Sequence, residues 1–203
     1  MSGENIFASY ARQPGGRAPA PGELAVVQAF MNTRWDLASA GHTEMLASPD
    51  ALQGWLLTQG LVRGPIRVTD DDLDRALVIR EALRALAFAN NGHDVDQAAV
   101  ATLSAASSEA KVEIYLELDG PRFVADTKSI EGAIAALFAI TARAMIDGSW
   151  QRLKACPGRH CGWAFYDHSR NQSGRWCSMK VCGERDKARA YYRRKTRQAT
   201  TLE

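Results

Sequence analysis

All four cysteines of this 203-residue chain fall between positions 156 and 182, as two Cys-x4-Cys pairs, Cys156/Cys161 and Cys177/Cys182. Thiolates in that pattern suit Zn2+, which takes four sulfurs tetrahedrally from two short loops joined by enough chain to fold back. Disulfides or reduced core cysteines are the plainer alternative, yet two like-spaced pairs in one segment and none elsewhere argue for metal. Four protein thiolates leave no position for water, so the expected zinc is structural. Gly162 follows Cys161 and Gly183 follows Cys182; a residue free to adopt positive φ lets backbone N–H groups turn toward the sulfurs.

The elements that position these sulfurs can be sketched from the flanks. Gly162–Tyr166 is compact and aromatic, residues 167–174 are turn material, and Arg175-Trp176 leads back to the third cysteine, which predicts a hairpin in the spacer. Ser178 is placed to cap a helix, whose positive end favours ionised sulfur at Cys177 and Cys182. Knuckle, hairpin and helix together predict a treble-clef-like zinc finger. Beyond Cys182 the chain is strongly basic. Arg185, Arg189, Arg193 and Arg197 recur every four residues, a helical ridge about 18 Å long at ~1.5 Å per residue. Lys187, Arg194 and Lys195 add charge on other sides, Arg170, Arg175 and Lys180 surround the cysteines, and Tyr191 and Tyr192 could stack on sugars or bases. Guanidinium forks on a helix suit phosphates and guanine edges, so double-stranded DNA is the expected partner.

Several of these residues resemble a known family. Cys161-Gly162-Trp163, Ser169-Arg170-Asn171, Arg175-Trp176-Cys177-Ser178-Met179 and Cys182-Gly183-x-Arg185 are similar to the CGNR zinc finger of bacterial stress-induced transcription regulators. In that family the finger follows an alanine-rich ABATE domain with a Phe-x-Asn-Thr signature, and Phe30-Met31-Asn32-Thr33 matches it. Glu184 stands where the family's namesake Asn would be, and Ala29 where an acidic residue is common. The resemblance implies transcription regulation and a ligand-sensing body. Asn32, Trp35, Arg80 and Arg84 are the effector-contact candidates, although Asn32 also suits loop fixing and the two arginines a salt-bridged face.

Charge separates the chain into two parts. From Trp150 onward there are 13 Lys+Arg against 4 Asp+Glu, and before it 12 against 19, so a +9 head follows a −7 body. A polyanion-binding head on a regulatory body has this form, as would two parts docked through opposite charge. The most apolar run, residues 132–142, carries no charge but falls well short of the roughly 20 residues needed to span a bilayer. Residues 1–22 show no apolar leader, so reduced thiols in the cytoplasm are expected. A zinc-stabilised adaptor for protein or RNA is the alternative function. A metal-dependent nuclease using His160 and His168 is the enzymatic one, but neither histidine has a clear carboxylate partner beyond Asp167. No serine elbow, phosphate loop or nucleotide fingerprint occurs, and the chain reads as a non-enzyme. A small-molecule effector and a homodimer complete the expected partners.

The body reads as an α+β domain, mainly helical. Residues 1–22 predict an arm ordered only if it lies on something, residues 23–150 the helical domain, and residues 151–203 the finger with its basic helix. Leu24, Val27, Met31 and Trp35 recur with helical spacing. Ser48-Pro49 and Thr69 followed by three aspartates start further helices. Asp94–Gln97 starts an alanine-rich helix reaching about Ser104. Val112, Ile114, Leu116 and Leu118 alternate with polar neighbours, then Asp119-Gly120-Pro121 turns the chain, predicting a hairpin over 111–127 with one buried face. Ser129 to about Arg152 is the longest expected helix, apolar nearly all round and therefore central.

Overall fold

The computed structural model describes residues 13–37 and 41–200, excepting the side chains of residues 36, 37, 41–43 and 196–200. Among them, α1 (Leu24–Met31) buries Leu24, Val27, Phe30 and Met31. It stops short of Trp35, which helical spacing had joined to it. Thr33 folds back on the helix end, its hydroxyl donating to the Phe30 carbonyl at 2.7 Å. Arg34 then opens a strand, β1 (Arg34–Leu37), paired antiparallel with β2 (Gly41–Glu44). A three- or four-residue recurrence thus continued into a strand by coincidence of spacing.

The next helices start where their caps predict. Ser48 accepts the Ala51 N–H at 3.2 Å and opens α2 (Pro49–Thr58). Thr69 and Asp72 form a reciprocal capping box for α3 (Asp70–Ala89), satisfying donors that have no partner inside the helix. For α4 (Gln97–Ser108) the cap is Asp96, whose carboxylate accepts from Ala98 and Ala99; the helix starts and ends later than expected. Ser129 caps α5 (Ile130–Ile146), which ends at Asp147 because Gly148 takes φ +81° and is shorter than α3. Its end exposes Met145 and Ile146, so its apolar surface is not all interior. The central strut is α1, which packs against α3, α5 and the sheet of the finger.

Among the described residues, three two-stranded antiparallel sheets complete the mixed α+β fold. β3 (Val112–Glu117) pairs with β4 (Gly120–Ala125), and β5 (Leu153–Ala155) with β6 (Ala164–Tyr166). The β3–β4 hairpin does not bury one face as predicted. β4 lies half-buried on α5, whereas β3 stands outside it with Ile114, Leu116 and Leu118 exposed. The finger's hairpin is also displaced from its predicted place. Its first strand precedes Cys156, so the first cysteine pair sits in the hairpin turn and residues 167–176 form a loop. Leu153, Ala155, Ala164 and Tyr166 belong to the same apolar core as Val27, Trp55, Leu83 and Leu137. A smaller cluster gathers Trp35, Trp163 and Phe165 around the four cysteines. None of the described helices is long and apolar enough to cross a membrane.

Candidate metal centre and basic face

The β5–β6 turn presents the first two sulfurs. Cys156 N–H donates to the Trp163 carbonyl at 2.9 Å, Cys161 N–H to Gly158 at 2.8 Å, and Gly162 N–H to Cys156 at 3.2 Å. Gly162 takes φ +63°, the left-handed turn expected of it. Gly158 was not anticipated; a Cβ there would lie 2.9 Å from Cys182 Sγ, so only glycine lets the two loops close on one another. The second pair flanks the entry to a π-helical turn, Met179–Gly183, where Cys182 N–H bonds the Ser178 carbonyl at 2.9 Å. Ser178 occupies the capping position with extended backbone, but its side chain makes no capping bond.

All four buried sulfurs lie within 4.8 Å of one another, with Cys177 Sγ at 3.7 Å from both Cys161 and Cys182. A tetrahedral zinc with Zn–S bonds of ~2.3 Å separates its sulfurs by about 3.8 Å, so the residues present fit the ion. Crowding polarises the set. Sulfur hydrogen bonds from Cys161, Cys177 and Cys182 hold Cys156 toward the thiolate, while hydrogen bonding to Cys156 pushes Cys161 and Cys177 up. Four buried thiolates need a cation to ionise together, and a zinc ion held by Cys156, Cys161, Cys177 and Cys182 would supply that charge.

Side chains of the body grip the hairpin that carries this centre. Asn32 Nδ2 donates to the Ala164 carbonyl at 2.9 Å and its Oδ1 accepts the Ala164 N–H at 2.8 Å. Gln28 Nε2 reaches the same carbonyl at 3.1 Å, and Arg84 donates to the Gly162 carbonyl at 2.6 Å. Asn90 bonds the carbonyls of Trp150 and Leu153, and Asn91 those of Ala155 and Arg175. The arm lies on the finger from Gln13 onward; its residues 1–12 are outside the described residues. Gln13 accepts from Trp163 Nε1 and Gln28 Nε2, both at 2.9 Å. Arg17 donates to the carbonyls of Tyr166, Trp176 and Cys177 and covers the Phe165 ring. His168, a candidate in the nuclease reading, meets the Ala18 and Pro19 carbonyls.

The effector candidates therefore hold the protein together. Asn32 clamps β6, and Trp35 packs edge-on against Trp163 at 5.8 Å. Arg80 is 1 % exposed and directs its guanidinium at Glu44, Glu81 and Thr33. Arg84, also buried, adds Glu81 and the carbonyls of Met31 and Arg34 to its bond with Gly162. Burial opposes the Glu81 charge, but Arg84 and Arg80 outweigh it and hold the carboxyl below its ordinary range. Inside the finger, Lys154 and Asp167 form a buried ion pair at 2.9 Å. Burial would raise the Asp167 carboxyl; bonds from Lys154, Ser169 and Gly174 bring it well below the carboxylate range instead.

Two family models cover nearly the whole chain. Residues 12–148 match the ABATE model, described as "Putative stress-induced transcription regulator", and residues 152–195 match the CGNR zinc finger. The chain belongs to the ABATE family. No curated protein matches it. Together with the buried four-cysteine cluster, the CGNR finger behind an ABATE domain gives the architecture of a zinc-finger regulatory protein.

The CGNR finger continues into α6 (Glu184–Thr200), which starts directly after Cys182-Gly183. Arg185, Lys187, Arg193, Arg194 and Lys195 are exposed along it, and Arg170, Arg175 and Lys180 are exposed on the metal loops. Arg189 is partly covered and lies 3.5 Å from Asp186. The Arg197 side chain is outside the described residues. Tyr191 and Tyr192 project into solvent edge-on to one another, and Arg175 stacks over Trp176. Sequence reasoning found the sulfurs and the cations through repeated spacing. It missed Gln13, Arg17, Gln28, Asn90 and Asn91, which share no sequence pattern that marks them: two lie in the Pro/Gly-rich arm, one inside α1 and two at the end of α3.

Proposed function

We propose that this ABATE-family protein regulates transcription by binding double-stranded DNA through α6, with Zn2+ holding the root of that helix in place. The finger reads as a treble-clef variant: a hairpin knuckle supplies Cys156 and Cys161, and the turn into α6 supplies Cys177 and Cys182. Zinc has a structural role here, because four thiolates complete its tetrahedron. The observation that carries the reading is a helix rooted at the four-cysteine cluster that turns most of its described cations to solvent. Arg185, Lys187, Arg193, Arg194 and Lys195 are exposed, in a body whose buried side chains have internal partners. Long basic side chains on a rigid helix neutralise phosphates by displacing counterions. Six such contacts give a slope of roughly −5 in log K against log salt.

Fluorescence anisotropy with a labelled duplex at several salt concentrations tests this. Reversing Arg193 and Arg194 to Glu lowers affinity on the order of 30-fold and flattens the salt slope by about two, whatever the duplex sequence. Equal binding by the variant and the parent, with zinc retained in both, refutes the reading. The adaptor and nuclease alternatives then remain, and turnover of the duplex separates them.

A further inference from the structure

The exposed strand β3 is an unusual surface for this fold. Among the described residues its sheet contains only β3 and β4, so the outer edge of β3 has no strand beside it. Ile114, Leu116 and Leu118 are 59 %, 88 % and 111 % exposed, and Tyr115 is 45 % exposed. Long apolar edge strands invite pairing with another chain, and proteins that must avoid it blunt them with lysine, proline or a bulge. β3, Val-Glu-Ile-Tyr-Leu-Glu, has none of these within it. The two-residue turn at Leu118-Asp119 aligns Glu117 with Gly120. The alternation of an antiparallel ladder then turns the backbone groups of Val112, Ile114 and Leu116 toward the free edge.

We infer that β3 pairs with β3 of a second copy of this chain, across a two-fold axis at Ile114, making a four-stranded antiparallel sheet. The charge pattern selects both partner and register. Centred on Ile114, the pairing sets Lys111 opposite Glu117 twice, Val112 opposite Leu116 twice, Glu113 opposite Tyr115, and Ile114 opposite itself. Ile114 and Leu116 each gain an apolar neighbour, and no like charges meet. Centred on Tyr115, it would set Glu113 against Glu117 twice; centred on Glu113, two glutamates would face each other, and like charges directly opposite destabilise a sheet. A two-residue shift moves every residue by one pair and keeps the same face, so charge decides between these registers. The homodimer would carry two basic helices, which deepens the DNA-binding reading but does not depend on it.

Sedimentation velocity of the full, zinc-loaded chain without DNA, over roughly 1 to 200 μM, tests the interface separately from DNA binding. A concentration-dependent dimer is expected. Lys111→Glu and Glu117→Lys each weaken it about tenfold, and the double variant restores it to within about twofold, because two opposed pairs are reversed and then re-formed. Both residues are exposed, and the 2.7 Å pair of Glu117 with Arg122 lies on the surface, so its loss leaves circular dichroism and zinc content at parental values. A monomer throughout the range overturns the inference. So does a dimer that the double variant fails to rescue, which would place the contact elsewhere. Strengthening by Glu117→Lys alone overturns the register in favour of Tyr115. Dimerisation only after removal of residues 1–12 makes that segment the occupant of the edge and also overturns it.

Discussion

The two hairpins that flank α5 behave in opposite ways. β3–β4 has six residues per strand and the clearer alternation, yet its outer strand stands in water. β5–β6 has three per strand and is wholly buried. Length and pattern therefore do not decide which hairpin becomes part of the core. The short one is held because Asn32, Gln28, Arg84, Asn90 and Asn91 bond its backbone and flanks, and because the sulfurs close its turn. A short ribbon cannot stand alone in water, and these side chains and the four-cysteine cluster stand in for the neighbouring strands it lacks. The long hairpin receives one side of support, from α5, and leaves the other exposed.

The largest expected difference between the two comes from the metal. Cys177→Ser leaves three sulfurs, and structural zinc supplies on the order of 10 kcal/mol of folding free energy to such modules. Zinc content should fall from one ion per chain to near zero, and trypsin should cut residues 170–195 at least tenfold faster while residues 24–146 stay protected. Unchanged zinc content would remove Cys177 from the site. An intermediate effect is expected at the clamp. Asn32→Ala leaves the Ala164 N–H and carbonyl without that partner in a buried place and should cost about 2–4 kcal/mol in urea unfolding. A loss under about 0.5 kcal/mol would show that water or Gln28 replaces the clamp, and the contrast between the hairpins would then rest on the metal alone. The smallest effect belongs to the exposed hairpin. Leu116→Ser, measured at a concentration too low for association, should change the unfolding midpoint by no more than about 0.5 kcal/mol equivalent. A larger loss would mean that β3 is buried within the monomer.

The parts that could be read ahead of the structure are those with local physics. Capping at Ser48, Thr69 and Ser129 depends on a side chain and a backbone N–H three residues away, so each appears in the spacing. The β3–β4 hairpin follows from alternation and a turn, but its register does not: the turn falls at Leu118-Asp119, not at Asp119–Pro121, so Gly120 and Pro121 pair within β4. Trp35 shows where this fails: its spacing from Met31 fits a helix, but Thr33 and the β1–β2 pairing end the helix first. The hairpin around Cys156 fails for another reason. Leu153–Ala155 is too short to show alternation, and its partner lies beyond the cysteine knuckle. Arg80 and Arg84, one turn apart, appear alike in sequence whether they await an anion or are already paired. Glu81 of their own helix is visible in the sequence, but only Glu44, brought in by β2, shows that Arg80 is already paired.

By itself the sequence determined the ligand set, the basic ridge and their order along the chain. Repeated spacing and charge survive without knowledge of what lies nearby. Tertiary structure decided which polar groups are already satisfied and which face water. Burial and hydrogen bonding depend on partners up to 160 positions away, as between Arg17 and Cys177. For that reason the finger is gripped from three directions, by α1, α3 and the arm, while α6 carries its charge outward.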